Sequence, residues 1–395
     1  MGSLPVLGPT PRISSLLVKP ASAVCNLDCE YCFYLDREAD PYKDLPGWRM
    51  SDEVLERLVD QFLFYSYPAS VFAWQGGEPT LAGLKFFQRA VELEQQYGRD
   101  GHVVSNALQT NGILIDDDWC ALLREYNFLV GLSLDGPEQV HDRYRFNRRR
   151  QGTWRKVIEG AETLRKNNVE FNILCVVSQA NVHQPRQLYQ WFRREGFDFI
   201  QYIPLAEFDQ EGNPLPFALT PEQYGKFLLE TFECWWPDRR RVHIRFFDNV
   251  VEALIGEKPG NCTLHTTCDS YVVVEYNGDV YPCDFFVEKS WKLGNVMVDS
   301  FPEIARRTKR AEFARTKVMP HPECLGCEFE FVCHGGCPKL RHGRHHRFED
   351  LDYFCQAYKM IYARAIPPLR REAERIRREM AESLAAHAYS VGPTG

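Results

Sequence analysis

Cys25, Cys29 and Cys32 stand in the run Cys-Asn-Leu-Asp-Cys-Glu-Tyr-Cys, a CxxxCxxC loop closed by the aromatic Phe33. Three thiolates on one short loop are ligands for an iron–sulfur cluster. A [4Fe–4S] cube ordinarily takes four cysteines, so three leave one iron open to bind and transform a molecule. Zinc would need a fourth ligand nearby, and the loop holds none.

Eight more of the 14 cysteines lie between Cys262 and Cys355. Cys262, Cys268 and Cys283 come first, then Cys324-x2-Cys327-x5-Cys333-x3-Cys337, then Cys355. In a reducing compartment such clustering reads as metal ligation rather than disulfides, and eight thiols suffice for two sets of four. CxxC pairs also build zinc ribbons, so spacing alone leaves zinc open. Cys120, Cys175 and Cys234 sit singly in apolar patterns and are expected in the core. His342, His345 and His346 fall among arginines and are expected on a solvated basic loop.

The elements that must position these groups follow from periodicity. Strand-like runs at Leu16–Val18, Val71–Gln75, Val103–Gln109, Phe128–Leu134, Phe171–Val177 and Phe199–Ile203 alternate with helical stretches. The helices are expected at Asp52–Tyr65, Leu84–Tyr97, Asp116–Tyr126, Thr153–Asn167, Pro185–Glu195 and Pro221–Trp235. Val54, Leu55, Leu58, Val59 and Phe62 show the three-and-four spacing of a buried helical stripe. Ser51 and Thr220 are expected N-caps, the latter with Pro221 at the first helical position. Six strand–helix repeats imply a parallel sheet, since parallel neighbours need crossovers. The expected fold class is α/β: a partial (β/α)6 TIM-like barrel over 14–255, with a doubly wound sheet not separable by periodicity. In such a barrel the cysteine loop after the first strand lies at the C-terminal mouth, where sites are built.

The pattern changes near Gly256–Gly260. Residues 256–355 carry the cysteines and a hairpin (Tyr271–Tyr276, turn Asn277–Gly278, Asp279–Tyr281), with little helical periodicity. So small an apolar core is expected to depend on bound metal. Residues 356–395 form a C-terminal helix to about Ala386, rich in Arg and Glu, and a tail expected to lack fixed structure. A formal net charge of -7 argues against broad nucleic-acid or anionic-membrane binding. No apolar run reaches the ~18 residues of a membrane span, and Met1 to Pro11 lacks signal-peptide features, so a cytoplasmic location is expected.

CxxxCxxC followed by Phe33, with Gly76-Gly77-Glu78-Pro79 after the second strand, resembles the radical S-adenosylmethionine superfamily. The resemblance implies that the cofactor chelates the open iron and is cleaved there to a 5′-deoxyadenosyl radical. It implies that Glu78 binds the cofactor's ammonium, with Gly76 and Gly77 allowing close backbone approach. It also implies that Gln109 and Asn111, ending the third strand, and Ser133, ending the fourth in Ser-Leu-Asp-Gly, line the pocket. Arg143 or Arg145, in a run of five arginines, could reach the cofactor carboxylate; the rest of the run is expected to be solvated.

The cysteine-rich segment resembles the SPASM domain, which implies two auxiliary [4Fe–4S] clusters and three in all. Cys262, Cys268, Cys283 and Cys337 would hold the first, and Cys324, Cys327, Cys333 and Cys355 the second. Nearly the whole chain is similar to anaerobic sulfatase-maturating enzymes, through Cys25-to-Tyr34, Gln75-to-Pro79, Ser133-to-Gly136 and Tyr281-Pro-Cys-Asp284-Phe285. Such an enzyme oxidises a Cys or Ser of a sulfatase polypeptide to Cα-formylglycine, drawing electrons from a reductant such as flavodoxin or ferredoxin. The resemblance implies Asp284 as catalytic base and Tyr34 and Gln75 as contacts to the target residue. A carboxylate screened from water beside a cluster ligand suits proton removal. A SPASM enzyme that crosslinks a ribosomal peptide is the alternative; no separate peptide-binding domain is visible before Leu16.

Overall fold

The structure is a computed structural model that describes residues 12–34, 41–42, 45, 47–319 and 321–390, with side chains to residue 383. Met1 to Pro11 therefore lie outside the described residues. The chain forms two compact units: residues 1–181 with 267–318, and residues 182–266 with 319–395.

In the first unit, strands and helices alternate as β1 (Ser15–Lys19), α1 (Asp52–Ser66), β2 (Ala69–Trp74), α2 (Leu84–Tyr97), β3 (Val103–Thr110), α3 (Asp117–Glu125), β4 (Leu129–Ser133), α4 (Glu138–His141), α5 (Trp154–Lys166) and β5 (Phe171–Val177). Adjacent strands β1 to β5 pair in parallel, as crossover helices require. Ser51 caps α1 by accepting from the Val54 amide at 3.3 Å. The helix buries Val54, Leu55, Leu58, Val59, Phe62 and Leu63. At about 1.5–3 kcal/mol per fully buried apolar side chain, that stripe is what docks it.

The second unit continues the pattern with α6 (Pro185–Arg194), β6 (Phe199–Pro204), α7 (Pro221–Trp235), a two-residue β7 (His243–Ile244) and α8 (Arg245–Ile255). Strands β6 and β7 pair in parallel. Thr220 and Gln223 form a capping box at α7, with Pro221 at its start. The fold class is the α/β strand–helix succession expected, followed by the cysteine-rich region and a C-terminal helix.

The part of the cysteine-rich region in the first unit shares the core of the strand–helix sheet. Strand β8 (Val272–Glu275) pairs in parallel with β1, Leu16 opposite Val272 and Lys19 opposite Glu275. Strands β9 (Asp279–Tyr281) and β10 (Gly294–Asn295) extend the sheet antiparallel beyond it. Val272, Val273, Val274, Val280, Phe301 and Ile304 join the same core cluster as Leu16, Leu58 and Phe72.

Helices also occur where little helical periodicity is visible: α9 (Phe301–Arg306), α10 (Thr308–Val318), α11 (Glu330–Cys333) and α12 (Pro338–His345). The buried face of α10 is Arg310, Phe313, Ala314 and Lys317, so two of its four inward residues are charged and the apolar repeat is broken. Helix α12 carries His342 and His345, with His346 as its left-handed cap, so these histidines are not on a loop. Helix α13 (Cys355–Ser390) packs on α7 and α8 and runs past the expected end at Ala386. The tail beyond Ser390 lies outside the described residues. No described helix is long and apolar enough to cross a membrane.

Candidate active site

The C-terminal ends of β1 to β4 carry the candidate residues, as expected of parallel strands whose loops open on one side. Two backbone hydrogen bonds fasten the segment before the cysteine loop to the end of β2: Gly77 N to Ser22 O at 2.8 Å and Glu78 N to Val24 O at 2.9 Å. A Cβ on Gly76 (φ +122°) would lie 2.6 Å from Ser22 O, and one on Gly77 2.2 Å from Val24 O. The close approach that these glycines permit is thus to the backbone leading into Cys25.

Burial pushes the Cys25 thiol up to about 12, with the neighbouring Glu78 charge adding to it. Burial likewise raises Cys29 to about 12, against the lowering pull of Arg145. Cys25 and Cys32 both act on Cys29 electrostatically, so the three thiols are neighbours. Thiols this reluctant to ionise become thiolates when a metal compensates the charge, which is the chemistry of a cluster-binding loop. Among the described residues no group of three or more Cys, His, Asp or Glu is placed to hold a single metal ion.

Glu78 is buried at 1% exposure. Its Oε1 accepts from Thr80 N (3.0 Å), Thr80 Oγ1 (2.6 Å) and Thr110 Oγ1 (2.8 Å). Its Oε2 accepts from Asn111 N at 2.8 Å. Burial still pushes its carboxyl above the usual range. A cation delivered to Oε2 would relieve that penalty. Asn111 donates to Asn26 Oδ1 at 2.8 Å and lies 3.8 Å from Cys25 Sγ, joining β3 to the cysteine loop. Ser133 is buried at the end of β4, and Gln109 is half-buried on β3.

Asp135 holds the loop from the other side. It accepts from Arg145 through Nε (2.8 Å) and Nη2 (3.2 Å), from the Val176 amide (2.9 Å), and from Tyr31, which stands between Cys29 and Cys32. Burial raises the Asp135 carboxyl, but Arg145 outweighs it and the net shift is downward. Arg143 is exposed, with its guanidinium 5.3 Å from the Tyr144 ring centre, and is not part of this buried set. Arg145→Met would leave the Asp135 carboxylate buried and unpaired. It should cost about 3–5 kcal/mol, read as a lower denaturation midpoint at unchanged slope.

Asp284 lies at the start of a short turn after β9, 4% exposed. Tyr34 donates its hydroxyl proton to Asp284 Oδ2, and Gln75 Nε2 lies 3.4 Å from the same oxygen and 3.5 Å from Tyr34 Oη. Lys19 Nζ lies 3.4 Å from Asp284 Oδ1, 2.5 Å from Glu275 Oε1 and 4.7 Å from the Tyr34 ring centre. The structure therefore brings Tyr34, Gln75 and Asp284 together.

In the second unit, Cys324, Cys327, Cys333 and Cys355 line one cavity. Asp352 builds it, accepting from Cys337 N and Phe354 N, each at 2.8 Å. His334, Gly335 and Gly336 all have positive φ, and a Cβ on Gly336 would lie 2.2 Å from Asp352 Oδ2. The buried Arg341 ties this loop down through Gly335 O at 2.7 Å. Of the other set of four, Cys268 and Cys283 belong to the first unit and Cys262 and Cys337 to the second.

Comparison with known proteins identifies the family. The Radical SAM superfamily matches residues 20–192, and an iron–sulfur cluster-binding domain, SPASM, matches residues 262–328. A cysteine-type anaerobic sulfatase-maturating enzyme of Clostridium perfringens is 39% identical over 371 residues, covering 92% of this chain and 99% of that protein. This chain belongs to that family. A serine-type member from Bacteroides thetaiotaomicron is 38% identical, with 89% of each chain covered. A solved structure titled as native anSMEcpe with bound AdoMet and Cp18Cys peptide superposes at a TM-score of 0.85, covering 92% of this chain and 99% of that one.

In this sulfatase-maturating chain, sequence reading missed Lys19, Tyr31, Asp135's partnership with Arg145, and Glu275. Lys19 and Glu275 each end a strand at the same register level, and a charged residue closing an apolar run was the available signal. Cys120 and Cys175 are buried, as expected of core thiols. Cys234 is only half-buried and its sulfur lies 3.7 Å from Arg186 Nη1, because it faces away from the stripe that α7 buries. Cysteine replacement should separate the two halves of the SPASM region. Cys333→Ala should lower the melting temperature more than Cys283→Ala, whose surroundings are held by the β1–β8 pairing and the main core. Thermal melts with iron counts on both variants check this.

Proposed function

We propose that this chain oxidises a Cys or Ser residue of a sulfatase polypeptide to Cα-formylglycine. The observation that carries the reading is the buried Asp284 carboxylate, gripped by Tyr34 and Gln75, in the same unit as the three-thiol loop. The names of the relatives, cysteine-type and serine-type alike, support the substrate class.

Cys25, Cys29 and Cys32 would hold the cluster that chelates S-adenosylmethionine. Glu78 would take the cofactor's ammonium at Oε2, with Gln109, Asn111 and Ser133 beside it. Cys324, Cys327, Cys333 and Cys355 would hold one auxiliary cluster; the set Cys262, Cys268, Cys283 and Cys337 is assigned by resemblance, giving three. When bound, these groups supply a 5′-deoxyadenosyl radical that removes a Cβ hydrogen atom and an acceptor for the substrate's second electron. The chain's own part is the proton. Asp284 takes it from the target thiol or hydroxyl, while Tyr34 and Gln75 orient that group and the carboxylate together. Burial keeps water from competing for the base. The substrate thereby loses one hydrogen atom, one proton and one electron, a two-electron oxidation that gives the aldehyde directly from Ser and a thioaldehyde from Cys, which water hydrolyses to the aldehyde with release of hydrogen sulfide. A flavodoxin or ferredoxin would provide the reducing electron.

The test is to incubate the reconstituted enzyme with Cys- and Ser-containing sulfatase peptides and S-adenosylmethionine, then probe products with a hydrazide. Capture of an aldehyde-bearing peptide, with 5′-deoxyadenosine formed, supports the reading. A product crosslinked within the peptide and inert to hydrazide overturns it.

A further inference from the structure

Lys19 and Glu275 form a pair that the oxidation as described does not use. They are register partners at the ends of adjacent parallel strands, so their side chains emerge side by side. Their side chains are 2% and 1% exposed. Ser22 Oγ donates to Glu275 Oε2 at 3.0 Å, fixing that carboxylate from behind. Burying two carboxylates and an ammonium together is expensive, and apolar residues of similar volume commonly serve stability as well or better. The presence of so costly a triad points to what it does for its third member, Asp284.

The division of contacts is specific. Tyr34 and Gln75 both engage Asp284 Oδ2, while Lys19 faces Oδ1. The ammonium is shared unequally, at 2.5 Å from Glu275 and 3.4 Å from Asp284. A lysine stem is flexible, and without Glu275 its ammonium would close onto Asp284 and occupy the carboxylate. Anchored by Glu275, it stands near enough to orient Asp284 without closing fully onto it. We propose that Lys19, restrained by Glu275, is the positioning residue that holds the Asp284 carboxylate in register with the substrate proton. This rests on the reading of Asp284 as base. The triad also spans β1, β8 and the turn after β9, so the base is tied to the strand that leads into the cysteine loop.

The experiment uses full-length reconstituted enzyme and the variants Lys19→Met, Glu275→Gln and the double Lys19→Met/Glu275→Gln, with Asp284→Asn as reference. Iron content, melting temperature and the ratio of 5′-deoxyadenosine to formylglycine are read for each. Lys19→Met alone leaves Glu275 unpaired and is expected to melt lower. The double variant removes the Lys19–Glu275 pair and leaves one buried carboxylate, Asp284, still held by Tyr34 and Gln75, so it should melt above Lys19→Met and keep its iron. Its ratio should nevertheless rise by roughly tenfold to a hundredfold, the effect of misplacing a catalytic group by about an ångström. Glu275→Gln should raise the ratio too, and Lys19→Arg should recover part of the product. A purely structural pair predicts the opposite: a double variant with restored stability and a wild-type ratio overturns the proposal. So does a double variant that loses iron or cofactor cleavage, because the pair would then serve the cysteine loop. Formylglycine at wild-type level in Asp284→Asn would instead overturn the assignment of the base, whatever the Lys19 variants do.

Discussion

Replacing Cys25, Cys29 and Cys32 together by Ala is expected to abolish 5′-deoxyadenosine formation. The three thiols are the cysteine ligands proposed for this loop, and without them no cluster would be held there. The proposed three [4Fe–4S] clusters would amount to about twelve irons per chain, so on that proposal the triple variant should retain about eight. The fold should persist, because the loop is fixed by backbone bonds from Glu78 and Gly77 and by the Asp135–Arg145–Tyr31 network, none of which uses a thiol. Iron analysis and a cofactor-cleavage assay on one preparation check both halves. Residual 5′-deoxyadenosine would place the radical site elsewhere. Retention of four irons rather than eight would mean two clusters in the native chain.

Asp284→Asn is expected to separate cofactor cleavage from product formation. The amide keeps the size of the side chain and an acceptor for the Tyr34 hydroxyl, but it cannot take a proton at neutral pH. It also removes one of two buried carboxylates near Lys19, leaving the Lys19–Glu275 pair balanced, so the variant should fold and load its iron. S-adenosylmethionine should still be cleaved, while formylglycine falls by on the order of 10²–10⁴-fold. Product within a few-fold of wild type would show that another group removes the proton. Loss of iron would place Asp284 among the supports of Cys283.

The parts legible in the sequence were those governed by local rules. Ser51 and Thr220 mark helix starts by hydrogen bonds they accept from amides three residues on, and Pro221 by its fixed φ, and the structure has them there. The six strand–helix repeats are read from apolar spacing, and the cysteine loops from thiol spacing. What was not legible depends on partners far apart in the chain. Pairing of β8 with β1 joins residues about 250 positions apart, so nothing local announces that the cysteine-rich segment shares the main core. Helix α10 hides because it buries Arg310 and Lys317. Arg143 and Arg145 are equivalent in sequence, yet only Arg145 meets a buried carboxylate. Lys19 and Glu275 look like charges closing two unrelated strands until the register brings them face to face.

The β1–β8 pairing also has a consequence for how the chain is made. Leu16 leaves the ribosome well before its partner Val272 exists, and 256 residues at about 5–20 per second take roughly 13 to 50 s. Throughout that interval one edge of a hydrophobic parallel strand has no neighbour, which is the kind of edge that recruits strands from other molecules. A polypeptide terminated between β5 and β8 would keep that edge for good, along with a complete CxxxCxxC loop. Shortening the chain to a minimal iron-binding module would therefore yield an aggregating fragment, whereas moving the termini to the α8–β8 connection would synthesise β8 ahead of β1 and cover the edge as it forms.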